Sequence, residues 1–355
     1  MIRRASRDAK VDAYLAARPA DVSYLSGFTG DDSLLLFGRT WACLITDSRF
    51  AELAADECAD IEVHVRSGAI AKAVAGVLAG RSVGRLALPA EDVTLRLRDL
   101  LAKVIAPRRL KPVSAVVREI RAVKSTAEVA AIRKAVRLAE RGFKALLAGG
   151  AEALVGRSER HIAAELDYRM RLAGADGTAF ETIVAAGAHG SLPHYRPGAA
   201  KVRRGQAVLI DWGAKLDGYC SDLTRVVFVG TIPPKIAEIY ELVIRAQAAG
   251  IKALRRGAAC KSVDSAGRKV ITRAGFGEKF GHGLGHGVGM EVHELPVLAR
   301  AATGRLRAGM VVTVEPGIYL PGVGGVRIED DVLVTAGGPS RLSSLPRTIE
   351  AMLLR

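Results

Sequence analysis

A short segment in the C-terminal half, GHGLGHGVGMEVHE at residues 281–294, constrains the fold more than any other part of the chain. Glycine occupies every odd position from 281 to 289. Each glycine destabilises a helix by about 1 kcal/mol relative to alanine, so this segment cannot form a stable helix. As an extended strand it would present the glycines on one face, where a second backbone can approach closely. The pattern therefore predicts a strand packed against other backbone.

The same segment concentrates the imidazole groups of the chain. Three of the seven histidines, His282, His286 and His293, lie within twelve residues. In an extended strand His282 and His286 lie on the face opposite the glycines. Neutral imidazole is a common ligand of transition metals, so the cluster predicts a metal site. The alternative is a set of ordinary histidines in a glycine-rich loop.

Two acidic residues lie in the first of two predicted strand pairs. The pair covers residues 207–213 and 219–229, joined by a turn at 215–218. Asp211 interrupts an otherwise apolar strand, and a buried carboxylate costs several kcal/mol unless it is paired or bound to a metal. We expect the turn to bring Asp211 and Asp222 face to face. The alternative places Asp211 as a turn cap and Asp222 on the surface.

The second strand pair, residues 310–319 and 326–335, has the same arrangement. Glu315 ends an apolar strand directly before Pro-Gly, and Glu329 lies on the returning strand. Strand alternation places Asp330 on the face opposite Glu329. The likeness of the two pairs indicates an internal duplication. A plain ion pair between a strand-end acid and Arg327 is the alternative here.

Four carboxylates and a histidine cluster in one β-rich region suit a pair of divalent ions such as Mn²⁺, Co²⁺ or Zn²⁺. Two such ions, about 3.5–4 Å apart, can activate a water molecule and polarise a carbonyl group. The constellation therefore predicts a hydrolase.

The N-terminal third has a different pattern, in which short apolar strands alternate with amphipathic helices. This alternation is typical of a small α/β domain. A capping box at Ser125 and Glu128 predicts the start of a long helix that opens the next domain. We therefore predict domains at residues 1–119 and 120–355. The predicted strands are 33–37, 42–46, 61–65 and 85–88, the predicted helices 49–59, 69–78, 94–104, 158–173, 234–256 and 262–274, and a loop is expected at 148–153.

Composition excludes several classes of protein. The chain has 355 residues, of which 49% are hydrophobic and 25% charged, as in globular proteins. It contains no apolar run long enough to cross a bilayer and no apolar core of a signal peptide. Although the net charge is +15, like charges are scattered and aromatics make up only 5%, so we expect no nucleic-acid partner. Four separated cysteines predict reduced, buried thiols and a cytoplasmic location.

The segment HGLGHGVGMEVHE resembles the signature of the pita-bread metallopeptidase family, which contains prolidase and aminopeptidase P. The segments IVAAGAHGSLPHYRP, VLIDWGAKLDGYCSDLTR and TVEPGIYLPGVGGVRIEDD resemble family segments in the same order. The resemblance is strong over residues 115–355 and weaker over 1–114, which resembles the creatinase N-terminal domain. It implies an α/β (α+β) architecture, with a pita-bread catalytic domain after a smaller creatinase-like α/β domain.

The resemblance also assigns roles to single residues. It implies two metal ions, with Asp222 and Glu329 bridging both, Asp211 on one, and His286 and Glu315 on the other. It further implies that Glu315 moves a proton and that His194 and His293 stabilise the reaction intermediate and bind substrate. His282 matches a histidine at the mouth of the site. Arg327 would orient Glu329 or contact the substrate carboxylate.

The implied activity is hydrolysis of the peptide bond before proline. We expect an Xaa-Pro dipeptidase, and an Xaa-Pro aminopeptidase acting on longer peptides is the closest alternative. Methionine aminopeptidase, creatinase and a non-catalytic binding module agree less well with the five retained ligand types and the histidine signature. Family members usually form dimers, so we expect a homodimer with two divalent ions, Mn²⁺ first. Trp212, Cys220 and Val226 depart from the family pattern without removing a ligand.

Overall fold

The structure is a computed structural model that describes residues 11–114 and 116–355. The boundary between two compact units falls between Arg121 and Ala122. Within the described ranges, no helix combines the length and apolar character that a bilayer crossing requires. All four cysteines are buried and none forms a disulfide, as the sequence predicted.

The first unit is built on one six-stranded sheet. Its strand order is β4-β3-β2-β1-β5-β6, and the hairpin expected at 33–46 is β2 paired with β3. Successive side chains of β2 enter different cores: Leu34 and Leu36 pack on one face of the sheet, and Leu35 and Phe37 on the other. The sheet is therefore covered on both sides, which explains its continuous apolar runs. Its strands are β1 Ala13–Ala16, β2 Leu34–Gly38, β3 Ala42–Asp47, β4 Glu62–Arg66, β5 Leu86–Pro89 and β6 Leu110–Val113.

The strands of this sheet are connected by helices, which lie close to the residues where the sequence predicted them. Thr94 caps the fourth helix through its side chain, and the third ends at Gly80. The helices of this unit are α1 Pro19–Ser26, α2 Ala51–Glu57, α3 Ile70–Ala79, α4 Leu95–Ala102 and α5 Val116–Arg121. The alternation of strands and helices confirms the expected α/β class.

In the second unit, two helices precede each of two larger sheets. The capping box forms as predicted, with the Ser125 hydroxyl accepting from the Glu128 amide and the Glu128 carboxylate accepting from the Ser125 amide. The expected loop at 148–153 is instead a 3₁₀ helix, Leu147–Ala153, kinked at Gly150. The helices are α6 Thr126–Leu146, α7 Glu159–Leu172, α8 Pro234–Ala253 and α9 Cys260–Arg273.

The two larger sheets carry the two strand pairs that the sequence predicted. One has the order β20-β12-β9-β8 and the other β14-β13-β15-β18-β19. Two small sheets, β11-β10-β7 and β16-β17, extend them. The strands are β7 Gly177–Thr178, β8 Ile183–Ala186, β9 Ala207–Trp212, β10 Ala214–Leu216, β11 Tyr219–Cys220, β12 Leu223–Val229, β13 Gly285–Gly287, β14 Glu294–Leu298, β15 Val311–Val314, β16 Gly317–Leu320, β17 Gly324–Arg327, β18 Asp330–Thr335, β19 Gly338–Arg341 and β20 Leu353–Leu354.

The glycine-rich segment is extended, but the predicted length of its strand was wrong. Only β13 is regular, because the pairing register with β14 shifts between His286 and Gly287. The reason for the glycines was correct. A Cβ atom at Gly285 would lie 2.1 Å from the Thr313 carbonyl oxygen, and one at Gly287 would lie 2.1 Å from that of Leu295.

The predicted long strands are interrupted where the acidic residues lie. Glu315 follows the last residue of β15, and β16 belongs to a different sheet. Asp222 and Glu329 directly precede β12 and β18, and only Asp211 lies within a strand. These interruptions free the acidic side chains from the regular alternation of a sheet.

Candidate metal centre

Three side chains that lie far apart in the chain converge in the second unit. One ligand atom each from Asp222, His286 and Glu329 lies within 4.8 Å of the others. His286 Nε2 lies 3.6 Å from Asp222 Oδ2 and 3.2 Å from Glu315 Oε1. The structure therefore brings together four of the five residues predicted as ligands.

The fifth, Asp211, lies beside them on β9 and is almost fully buried. Its Oδ2 accepts a hydrogen bond from Arg327 Nη2. Its Oδ1 is buried and has no hydrogen-bond partner among the described residues. A buried carboxylate oxygen without a donor is the group that a cation would satisfy.

Arg327 was expected to orient Glu329, to contact a substrate carboxylate or to form a plain ion pair. In the structure its ion-pair partner is Asp211. Its Nη1 donates to the Tyr319 hydroxyl at 2.9 Å and its Nε to Thr224 Oγ1 at 3.1 Å. All three guanidinium nitrogens are thus engaged inside the protein, and the side chain is buried. Arg327 therefore holds Asp211 directly and reaches Glu329 through the Thr224 hydroxyl.

Thr224 explains how the two sheets meet. In the β9–β12 pairing it lies opposite Asp211, where Asp222 had been expected. Its hydroxyl donates to Glu329 Oε2 at 2.6 Å, and its carbonyl accepts from the Glu329 amide at 3.1 Å. The acids of the first strand pair are therefore held next to those of the second.

The ring of His286 is fixed by its surroundings. Its Nδ1 lies 3.1 Å from the Gly287 carbonyl oxygen, an acceptor, so Nδ1 carries a proton and Nε2 faces the carboxylates. The Thr313 hydroxyl accepts from the His286 amide at 3.0 Å and donates to Glu315 at 3.2 Å. The Thr313 hydroxyl thus orients both His286 and Glu315. Side chains that bind metal ions are usually oriented by hydrogen bonds of this kind.

The electrostatics of the site favour a cation. Burial and the neighbouring carboxylates raise the pKa of Asp222 and of Glu329 well above the usual range. Burial also raises the pKa of Asp211 despite the charge of Arg327. Burial alone would raise the pKa of Glu315, but the hydrogen bond and charge of His286 lower it to about 2. A site of four carboxylates and one imidazole has the ligand types that divalent metal ions prefer.

The remaining predicted histidines surround this group. The ring centroids of His293 and His286 are 4.3 Å apart, and burial lowers the pKa of His293. His194 also lowers the pKa of His293 by charge repulsion, which indicates that the two imidazoles lie near each other. His282 Nε2 lies 2.9 Å from the Tyr319 hydroxyl, and burial lowers the pKa of His282 as well.

Four residues that contact predicted site residues were missed from the sequence. Asp331 Oδ2 accepts from the Asp222 amide at 3.0 Å, and burial raises the pKa of Asp331 to about 7. Three of the four lie two positions from a predicted ligand, a spacing that would share one face in the continuous strands that the sequence predicted. Tyr319 had no such signal. The four are Thr224, Thr313, Tyr319 and Asp331.

Comparisons with known proteins agree with this geometry. Residues 130–336 match the model of metallopeptidase family M24, and residues 1–123 match the creatinase/prolidase N-terminal domain. An Xaa-Pro dipeptidase of Pyrococcus horikoshii is 36% identical over 96% of this chain and 94% of its own. The structure of an Xaa-Pro dipeptidase from Bacillus anthracis superposes with a TM-score of 0.94, 34% identity and coverage of 99% and 98%. An X-Pro aminopeptidase from Thermotoga maritima MSB8 superposes with a TM-score of 0.88, 36% identity and coverage of 99% and 100%.

Proposed function

The chain belongs to metallopeptidase family M24, with the pita-bread fold expected for it, and we propose that it hydrolyses the peptide bond before proline in Xaa-Pro dipeptides. The observation that carries the proposal is the convergence of Asp222, His286 and Glu329 within 4.8 Å, beside Asp211 and Glu315. A non-catalytic binding module would have no use for so many buried carboxylates, which are costly to keep in the folded state.

We propose that Asp211, Asp222, His286, Glu315 and Glu329 would together hold two divalent ions. When bound, such ions polarise the scissile carbonyl and make a water molecule more acidic. Oxygen donors with a single imidazole suit Mn²⁺ first, with Co²⁺ and Zn²⁺ as alternatives. The proposal includes a homodimer, as the family resemblance implies, and a cytoplasmic location, which the four unpaired cysteines favour.

Glu315 is the group that moves the proton. Hydrolysis adds the hydroxyl of water to the carbonyl carbon and a proton to the proline nitrogen. A glutamate carboxylate is ionised at neutral pH, so Glu315 can accept the proton of the attacking water. The same carboxyl then donates that proton to the leaving nitrogen, as a general base that becomes a general acid.

The neutral histidines act on the carbonyl oxygen. Because its pKa is lowered, the His293 imidazole is uncharged at neutral pH and retains one N–H donor. We assign that donor, together with His194, to the oxygen on which negative charge develops. Contact with Tyr319 holds His282 at the mouth of the site. Recognition through the scissile N–H is impossible because proline nitrogen carries no hydrogen, so contacts to the oxygen matter more.

An Xaa-Pro aminopeptidase is the second candidate. The likeness to the Thermotoga enzyme supports it, since the sequence identity of 36% is as high as that to the dipeptidases compared above, although the TM-score of 0.88 is below the 0.94 of the Bacillus anthracis dipeptidase. Rates on Ala-Pro and Ala-Pro-Ala distinguish the two activities. Cleavage of Ala-Pro alone supports a dipeptidase, whereas equal or faster cleavage of Ala-Pro-Ala replaces it with the aminopeptidase.

The test compares both peptides in Mn²⁺ and in chelator, using the wild type, Asp222→Asn and the control Asp217→Asn. Asp217 lies exposed at the tip of the same hairpin. We expect Mn²⁺-dependent cleavage by the wild type and the control, and a loss of at least about 100-fold in Asp222→Asn. Wild-type protein that binds Mn²⁺ but cleaves neither peptide would refute the substrate assignment. Full activity of Asp222→Asn would refute the ligand assignment.

A further inference from the structure

A buried carboxylate outside the metal centre organises the segment that carries His194. Glu159, the first residue of α7, is inaccessible to solvent. Its Oε1 accepts from the Ala186 amide at 2.8 Å and lies 2.7 Å from His189 Nδ1. Its Oε2 accepts from the Tyr195 hydroxyl at 2.8 Å and from the Gly198 amide at 3.2 Å. All four partners belong to the single segment 186–198.

Those four contacts enclose His194. Two lie before it in the chain and two after it, and Tyr195 is its immediate neighbour. The rings of His189 and Tyr195 also stack, with centroids 4.6 Å apart and an interplanar angle of 25°. Burial and Glu159 raise the pKa of Tyr195 to about 12, so the phenol stays a donor at any working pH. The carboxylate therefore fixes the backbone and both neighbouring rings around one histidine.

The same segment contacts the metal centre. The Pro193 carbonyl accepts from Arg327 Nη1 at 3.4 Å, and Arg327 holds Asp211. At its far end the segment is bound to the start of α7, where the Glu159 and Arg160 amides donate to the Ala200 and Gly198 carbonyls, each at 3.0 Å. A helix end thus serves as the rigid support, and supporting shells of this kind set the geometry of functional groups.

We propose that Glu159 is a positioning residue for His194, holding the 186–198 segment so that the imidazole faces the reacting carbonyl. Glu159 contacts neither the ligands nor His194 itself, so it acts through the segment. The proposal rests on the proposed function, because the catalytic role of His194 is part of that function.

The kinetic test is a double-mutant cycle with Glu159→Gln and His194→Ala. The glutamine amide has the same shape but turns an NH₂ group toward two of the four donors. We expect Glu159→Gln to lower kcat about 10–100-fold with little change in KM or in Mn²⁺ stoichiometry. Adding His194→Ala should then cost less than about twofold, because residues that act as one unit are not additive. Fully additive losses would overturn the proposal.

Histidine-labelled NMR of the Zn²⁺ form gives a readout that needs no turnover. The His194 ring signal is assigned from its loss in His194→Ala. In Glu159→Gln we expect it to shift and broaden, while His64 in the first unit stays unchanged. The control Glu165→Gln, on the same helix and paired at 2.7 Å with Arg169, should leave His194 unchanged. An unmoved His194 signal overturns the proposal, even if wild-type protein cleaves no peptide and the proposed function fails.

A milder variant serves if Glu159→Gln does not fold. Tyr195→Phe removes one donor and keeps the stacked ring, so the protein should remain folded. We expect a smaller His194 shift in the same direction. A wild-type His194 signal in Tyr195→Phe would also overturn the proposal.

Discussion

The Thr224 hydroxyl donates a 2.6 Å hydrogen bond to the Glu329 carboxylate and so joins the two predicted strand pairs at the candidate metal centre. Thr224 lies opposite Asp211 in its own sheet and also accepts from Arg327 Nε at 3.1 Å. The Thr224 hydroxyl thereby links the Glu329 carboxylate to the Arg327 guanidinium, which in turn binds the Asp211 carboxylate.

We therefore expect Thr224→Val to weaken Mn²⁺ binding about 10–100-fold, the usual effect of removing a group that orients a ligand. Valine has the shape of threonine but leaves Glu329 Oε2 and Arg327 Nε each without a hydrogen bond. The affinity is measured by calorimetric titration of Mn²⁺ into protein that has been stripped of metal and freed of chelator. Thr224→Ser keeps the hydroxyl and should bind like the wild type. Equal affinity of the valine and serine variants would contradict the role given to this hydrogen bond.

Asp222→Asn should change stability in opposite directions with and without metal. The raised pKa of Asp222 means that its ionised form destabilises the folded state, an effect present above the usual carboxyl pKa and lost as the pH falls. At pH 7.5 in chelator, the variant is therefore expected to melt about 2–4 °C above the wild type, for relief of about 1 kcal/mol. With excess Mn²⁺ the wild type should melt higher, because ligand binding stabilises it.

Calorimetric melting curves in both buffers test this reversal. Asp217→Asn is the control, since its side chain is exposed at the hairpin tip, and it should follow the wild type in each buffer. A variant that melts below the wild type in chelator would show that Asp222 stabilises the metal-free fold, which contradicts the carboxylate crowding described above.

Gly285→Ala should disturb the metal centre through the backbone. The new Cβ atom would lie 2.1 Å from the Thr313 carbonyl oxygen, so β13 and β15 must move apart beside His286. We expect a loss of about 1–3 kcal/mol in the free energy of unfolding, together with weaker Mn²⁺ binding. Gly281→Ala is the matched control, because a Cβ atom there has nothing within 4 Å. Indistinguishable urea unfolding curves for the two variants would refute the close-approach argument.

The glycines, histidines and acids of the site were predictable because each departs from a local pattern. Alternating glycines exclude a helix, and a charged residue in an apolar strand needs a partner. The capping box at Ser125 was equally local. Family resemblance then supplied the roles of the residues, which spacing alone did not.

Partners that lie far apart in the chain were not predictable. Arg225 pairs with Asp330 at 2.7 Å, and both are fully buried, although 105 positions separate them. Gln247 Nε2 donates to the carbonyls of Val314 and Ile328, each at 3.1 Å, directly before the two glutamates. Such contacts depend on how the two sheets and α8 meet, and alternation within one strand contains no information about that register.

Trp212, which departs from the family pattern, is expected to stabilise the fold without acting in catalysis. Its indole N–H donates to the Ala139 carbonyl at 3.0 Å, and its ring stacks on Phe143 with centroids 4.3 Å apart. Strand alternation directs it away from Asp211. Trp212→Phe removes a buried hydrogen bond and reduces the stacked ring area, which should lower the free energy of unfolding by about 1–3 kcal/mol in urea titrations. Mn²⁺ affinity and kcat per folded molecule should not change, and Trp41→Phe in the first unit is the control. A lower kcat at unchanged stability would instead place Trp212 among the residues that shape the site.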